Sequence, residues 1–171
     1  MSPMFRIGFG YDAHGLVEGR KLILGGVKIA NSRGLAGHSD ADVLVHAIMD
    51  AILGALGLGD IGMLFPDTDP TYRGASSLSL LEQVGLRMLE KGFRVNNIDA
   101  TIVAQGPRLS LHFTAMRENV AAALQADPEQ VNIKATTTEG MGFCGKEEGM
   151  EAFAVVSLTW ETGDRERGTQ E

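Results

Sequence analysis

The sequence predicts a single α+β domain, with a mixed and mainly four-stranded β-sheet and helices packed over one face. Segments of period two and of period 3.6 interleave in a β-β-α-α-β-α-β-β order, which builds a mixed sheet. The chain has 171 residues and 44% hydrophobic content, enough to bury one core, and no repeat or low-complexity linker divides it. Helices on one face leave the other face apolar and uncovered, which predicts a homo-oligomer assembled through its sheets.

Residues 5–14 place Phe5, Ile7, Phe9 and Tyr11 on one side and Gly8, Gly10, Asp12 and His14 on the other. That is the period of a half-buried strand, and it projects Asp12 and His14 together. Residues 22–29 are β-like around Gly25-Gly26, a bulge or a tight hairpin. Between 40 and 56, Val43, Leu44, Ala47, Ile48, Ala51, Ile52 and Ala55 repeat at helical spacing. Ser39 with Asp42 resembles a capping box for this helix, and His46, one turn after Asp42, shares its face. Residues 57–70, rich in Gly, Asp and Pro, read as a loop.

A second helix, capped by Ser76 or Ser77, runs to 91 and stops at Gly92. Residues 98–105 form a strand, Pro107 suits a first helical turn, and 108–126 supply a third helix. A strand at 131–138, a glycine-rich loop at 140–149 and a closing strand at 151–160 complete one domain spanning 1–160. The tail at 161–171 has no apolar residue to anchor it and is expected to be disordered.

Acidic residues outnumber basic ones by 22 to 15, without a basic run, so nucleic acid is not an expected partner. Any phosphate site must be local, built from metals and backbone N–H groups. The single cysteine, Cys144, excludes an intrachain disulfide and suits a reducing compartment. No apolar run approaches the ~20 residues that cross a bilayer, and no signal-peptide core is present, so a cytoplasmic protein without membrane contact is expected.

Two side chains at i and i+2 on a strand, plus one on a nearby helix, give three ligands. Asp12, His14 and His46 are an N,N,O set suited to zinc, with a fourth position left open as in catalytic sites. The alternative is a pair of strand-end polar groups and a hydrogen-bonded helix histidine. His38-Ser39-Asp40 lies at a helix start, where free N–H groups and the dipole favour an anionic or hydroxyl-rich ligand. Its alternative is a capping Ser39 and a solvated His38.

Thr136-Thr137-Thr138-Glu139 ends a strand and enters the glycine-rich loop, a place for hydroxyls and a carboxylate to meet a diphosphate carrying magnesium. The alternative is a β-prone threonine run with a solvated glutamate. Asp60, Asp67 and Asp69 also fit simple Asx turns. Arg108 and Lys146 could meet phosphate or a nucleotide, with a solvated surface charge as the alternative for each, and Cys144, without a base partner, reads as structural.

Ordered motifs covering roughly residues 6–159 resemble the 2-C-methyl-D-erythritol 2,4-cyclodiphosphate synthase family of the non-mevalonate isoprenoid pathway. They are Gly8-Phe9-Gly10-Tyr11-Asp12-Ala13-His14, His38-Ser39-Asp40-Ala41-Asp42, Leu58-Gly59-Asp60-Ile61-Gly62 with Phe65-Pro66-Asp67-Thr68-Asp69, and Lys134-Ala135-Thr136-Thr137-Thr138-Glu139 with Gly142-Phe143. The resemblance implies a homotrimer with active sites at subunit boundaries. It implies zinc on Asp12, His14 and His46, and magnesium or manganese on Glu139 with the substrate diphosphate. His38, Ser39 and Asp60 would contact the methylerythritol phosphate, and Ile61, Gly62, Phe65 and Asp67 would complete that side.

The resemblance further implies a cytidine diphosphate pocket from Ala104, Pro107, Arg108 and Leu109 with Thr136 and Thr137. Thr138, Phe143 and Lys146 join the substrate set, and His38 and Thr137 take positioning or transition-state roles. The implied reaction is a metal-dependent phosphoryl transfer within 4-diphosphocytidyl-2-C-methyl-D-erythritol 2-phosphate, giving the 2,4-cyclodiphosphate and CMP. Nucleophile and target share one molecule, so folding the substrate is the task and no side-chain nucleophile is needed.

Two departures stand out. Lys146 and Phe153 occupy positions where some family members carry an arginine and a glutamate in a trimer-axis cavity proposed to hold an isoprenoid phosphate. Arg108 stands where a lysine is common. No attached cytidylyltransferase domain is expected. The competing readings are a phosphohydrolase using the same metals and a non-enzymatic trimer binding a ligand around a structural zinc.

Overall fold

The computed structural model describes residues 5–160; the tail expected to be disordered, 161–171, lies outside the described residues. Strand β1 (Phe5–Glu18) decides which face of the sheet takes the helices. Helix α1 (Val43–Leu56) lies directly on its glycines. A Cβ at Gly8 would sit 1.8 Å from the Ala51 carbonyl oxygen, and one at Gly10 1.9 Å from that of Ala47. Only residues without side chains permit this backbone approach. The expected alternation is therefore present, and the buried side is the glycine side that also carries Asp12 and His14.

The main sheet has five strands, not four, in the order β4-β1-β7-β5-β6. Its members besides β1 are β4 (Arg33–Leu35), β5 (Phe93–Val103), β6 (Val131–Thr136) and β7 (Gly149–Trp160). β4 adds three residues to the end of β1, pairing Leu16 with Leu35, and is too short to carry a readable period. Neighbours are antiparallel except β5 and β6, whose crossover holds α4 (Phe113–Ala123). The β-like stretch near residue 25 is a separate hairpin, β2 (Leu22–Leu24) and β3 (Val27–Ile29), turning through Gly25 and Gly26 at φ +57° and +71°.

The core fills the space between this sheet and α1, α4 and a further helix, α3 (Ser77–Glu90). Ile48, Ile52, Leu81, Val84, Ile98, Met116 and Val156 are fully buried. α1 buries nearly its whole circumference, because the sheet, the hairpin and α3 surround it. Truncating any of its large side chains to alanine removes about 2–5 kcal/mol.

Several expected boundaries shift. The N-cap of α1 is Asp42, whose carboxylate accepts from Val45 N; Ser39 does not cap it, because its hydroxyl accepts from Ala41 N instead. The 57–70 loop contains a one-turn helix, α2 (Ile61–Leu64), capped by Asp60. Pro107, after a cis Gly106–Pro107 bond, precedes the third helix, which begins with a 3-10 turn at Ser110–His112. The 140–149 loop contains α5 (Gly142–Gly145).

The opposite sheet face is bare. Phe5, Ile7 and Phe9 are 66%, 62% and 63% exposed, Tyr11 and Val155 join them, and Phe153 packs 5.1 Å from the Tyr11 ring. A contiguous apolar surface of this kind marks an interaction site.

Candidate metal centre and substrate cavities

Asp12 and His14 reach the same point because they sit two apart on β1, on the side that faces α1. His46 meets them from the first turn of α1, whose start is anchored twice. Asp42 accepts N–H bonds from Gly25 at 3.0 Å, Gly26 at 2.7 Å and Val45 at 3.1 Å, tying the hairpin to the helix. The Asp42 carboxylate is thus consumed by backbone donors, and only the imidazole turns to Asp12. Burial of Asp42 raises its pKa to about 6 against the pull of these amides. Asp42 supplies the acceptor for the Val45 N–H at this helix start, while His38 and Ser39 face the cavities beside it.

Asp12 Oδ2 lies 2.9 Å from His14 Nε2 and 2.9 Å from His46 Nδ1, and the two nitrogens are 3.1 Å apart. A tetrahedral ion about 2.0–2.1 Å from each ligand would separate them by roughly 3.3 Å, so this triangle fits a zinc-sized ion with little movement. Burial raises the pKa of Asp12, but hydrogen bonds and charge from both histidines outweigh it and hold the carboxyl at about 2. Burial likewise lowers the pKa of His46, and Asp12 reverses it upward. Among the described residues this is the cluster of carboxylate and imidazole groups able to hold a metal. On its other side, His46 Nε2 lies 3.0 Å from Ser77 Oγ and 3.2 Å from Ser39 Oγ.

The triad opens into a cavity of about 400 Å³. His38, Ser39, Ile61, Gly62, Phe65 and Asp67 all line it. Met49, Tyr72 and Leu80 line it too; no local pattern marked them, because helix packing alone brings them there. His38 Nε2 donates to the Asp69 carbonyl at 3.3 Å. Asp60 stands outside the lining, with its carboxylate accepting from Met63 N at 2.9 Å as the cap of α2.

His38 and Ser39 also border a larger depression of about 760 Å³, with Arg20, Lys21 and Arg73 on its walls. These cations, not Arg108 and Lys146, line the hollow that shares His38 and Ser39 with the triad cavity. They arrive from two separate turns, so no charge run announced them. Arg20 also bonds the Gly37 and Ser39 carbonyls at 3.0 and 2.7 Å, bracing the wall between the hollows.

Ala104, Pro107, Arg108, Leu109, Thr136 and Thr137 line a separate cavity of about 430 Å³. It lies at the same end of the sheet as the triad, with β1 and β6 three strand spacings, roughly 14 Å, apart. Between the two run the remaining candidates. Glu139 is exposed at φ +52° with its carboxylate accepting from Thr137 Oγ1 at 3.1 Å, while Thr138 Oγ1 donates to the Met141 carbonyl. Phe143 and Lys146 are exposed, and neither they nor Glu139 line either cavity. Cys144 is buried, its thiol donating to the Val103 carbonyl and its pKa raised by burial, an inert structural group. No described helix is long and apolar enough to cross a membrane.

Comparison with known proteins gives one consistent answer. A 2-C-methyl-D-erythritol 2,4-cyclodiphosphate synthase of Geotalea uraniireducens is 62% identical over 153 residues, covering 90% of this chain and 98% of that one. The solved bifunctional IspDF from Campylobacter jejuni superposes with a TM-score of 0.89 at 46% identity, over 93% of this chain and 43% of that chain. The CDP complex of Plasmodium falciparum IspF gives 0.81 at 36% identity, over 92% and 97%. With the profile of the YgbB family matching residues 5–159, almost everything the structure describes, the chain belongs to the YgbB family.

Proposed function

We propose that this protein converts 4-diphosphocytidyl-2-C-methyl-D-erythritol 2-phosphate into 2-C-methyl-D-erythritol 2,4-cyclodiphosphate and CMP, in the non-mevalonate route to isoprenoid precursors. The observation that carries this reading is the Asp12, His14 and His46 triangle opening on a cavity, in a chain 62% identical to a synthase of that name. An oxygen of the 2-phosphate bonds to the β-phosphorus as the bond from that phosphorus to the α-phosphate oxygen breaks. The electron pair of the broken bond departs with CMP.

Asp12, His14 and His46 hold zinc and Glu139 holds magnesium or manganese, supplying Lewis-acid polarisation and charge neutralisation at the diphosphate. The chain itself folds the substrate. His38 and Ser39, with Asp60, Gly62 and Asp67 nearby, hold the polyol end, and Ile61, Phe65 and Leu80 present apolar walls that exclude water from the phosphorus. Ala104, Pro107, Arg108 and Leu109 receive the nucleotide beside Thr136 and Thr137. Thr138, Phe143 and Lys146 close over the link between them, and Thr137 positions the diphosphate.

Three copies assembled through their bare sheet faces bury Phe5, Ile7 and Phe9, and each site draws its two cavities from adjacent subunits. The catalytic unit is one domain, 1–160, working in the cytoplasm. A mass by light scattering other than three times the 18.2 kDa chain would exclude the trimer. Phosphorus NMR with substrate, zinc and magnesium tests the reaction: two coupled diphosphate signals and CMP are expected, and both must vanish on chelation. Release of inorganic phosphate would instead establish a hydrolase, and unchanged substrate a binding role.

A further inference from the structure

His46 presents Nδ1 to Asp12 and His14, so the state of its other nitrogen decides whether Nδ1 can act as a ligand. Nε2 is enclosed. His46 is 7% exposed, and two serine oxygens face that nitrogen, Ser77 Oγ at 3.0 Å and Ser39 Oγ at 3.2 Å. Ser77 is fully buried, and its hydroxyl makes a short contact with Asp40 Oδ1. A carboxylate only accepts, so the one hydroxyl hydrogen of Ser77 points to Asp40 and its oxygen is left as an acceptor. Asp40 is itself held, taking Ser77 N on Oδ2 at 3.0 Å and Asp42 N on Oδ1 at 3.2 Å. Ser39 Oγ already accepts from Ala41 N at 3.1 Å. The Ser77 oxygen therefore receives its hydrogen from the ring Nε2, which leaves the lone pair on Nδ1.

We propose that Asp40 and Ser77 form a positioning relay that keeps the proton of His46 on Nε2 and fixes the plane of the ring, making Nδ1 a preformed metal ligand. The inference rests on the reading of Asp12, His14 and His46 as a metal site. Outer partners of this kind orient a ligating histidine and raise its basicity. Asp40 and Ser77 lie outside the triad of Asp12, His14 and His46 and reach it through the His46 ring. The relay also joins the start of α3, which carries Ser77, to the start of α1.

The test is a competition titration of the metal-free full chain with zinc against a chromophoric chelator, at a temperature where every variant is folded. Ser77→Ala is expected to weaken zinc binding by roughly 10-fold or more. Ser77→Thr, which keeps the hydroxyl, is expected to restore it, and Asp40→Asn to fall between. Nitrogen-15 NMR of the zinc-loaded wild type adds a readout that a packing role would not move. The His46 Nε2–H signal should exchange slowly with water, and faster in Ser77→Ala.

A folded Ser77→Ala variant with wild-type affinity would overturn the relay, as would a wild-type Nε2–H exchanging as fast as an exposed imidazole. Should Ser77→Ala fail to fold, the wild-type exchange rate and Asp40→Asn decide. If the wild type binds no zinc, the metal reading falls and the relay with it. Equal binding by wild type and Ser77→Ala removes the relay alone.

Discussion

His46 is 7% exposed with hydrogen-bond partners on both ring nitrogens, whereas Glu139, the second proposed metal ligand, is exposed in the left-handed region with its carboxylate on Thr137. The difference follows from burial. A buried imidazole and carboxylate need partners in every state of the protein, so the fold must satisfy them before any ligand arrives. An exposed glutamate is satisfied by water and needs no such partners from the fold. Its φ of +52° stores on the order of 1 kcal/mol of backbone strain, held by a loop that places the carboxylate beside the threonines. One corner is therefore built in advance, and the other is left open to solvent.

The sharpest way to break this comparison is to remove one ligand from each corner. His46→Ala should abolish zinc binding and lower kcat/KM by roughly a thousandfold, about 4 kcal/mol. Glu139→Gln should retain one zinc per chain by metal analysis and lose about a hundredfold in kcat/KM, near 2.7 kcal/mol. Loss of zinc from both variants would mean that the corners are not separate.

A smaller effect comes from protons. The metal-free fold raises the pKa of His46 and holds Asp12 near 2, so below the raised value His46 is protonated while Asp12 stays ionised. Zinc must displace the His46 proton, so its apparent affinity should fall about tenfold per pH unit once the pH drops below that pKa. Calorimetry in buffers of different ionisation enthalpy would count that proton, and a flat pH profile would contradict the preformed-ligand picture. The smallest effect is expected at the exposed Arg108. Arg108→Ala should raise KM roughly fivefold, about 1 kcal/mol, and leave zinc stoichiometry unchanged.

The ligand triad was readable because each member belongs to a local period: Asp12 and His14 to a strand alternation, His46 to a helix. The lining residues between 61 and 67 were readable as motif. Arg20, Lys21, Arg73 and Tyr72 were not, because each sits in a turn and reaches the site only through packing. Ser77 reads as an ordinary helix-start serine, and its link to His46 spans 31 positions that no local pattern relates. The capping box failed for a related reason. Asp42 had a tertiary task, joining Gly25 and Gly26 to α1, and took the cap as part of it.

The sequence by itself determined the three long helices, the strand periods, the candidate metal-ligand set and the family, since all of these reside in near neighbours or in ordered motifs. Only the tertiary structure decided that the glycine side of β1 is the buried one, that Nδ1 rather than Nε2 of His46 meets Asp12, and that the cavity lined by Ala104, Arg108 and Thr136 stands apart from the triad. The physical reason is close packing. Gly8 and Gly10 let α1 come within backbone contact of the strand, and that approach sets where His46 points and which sheet face is left bare.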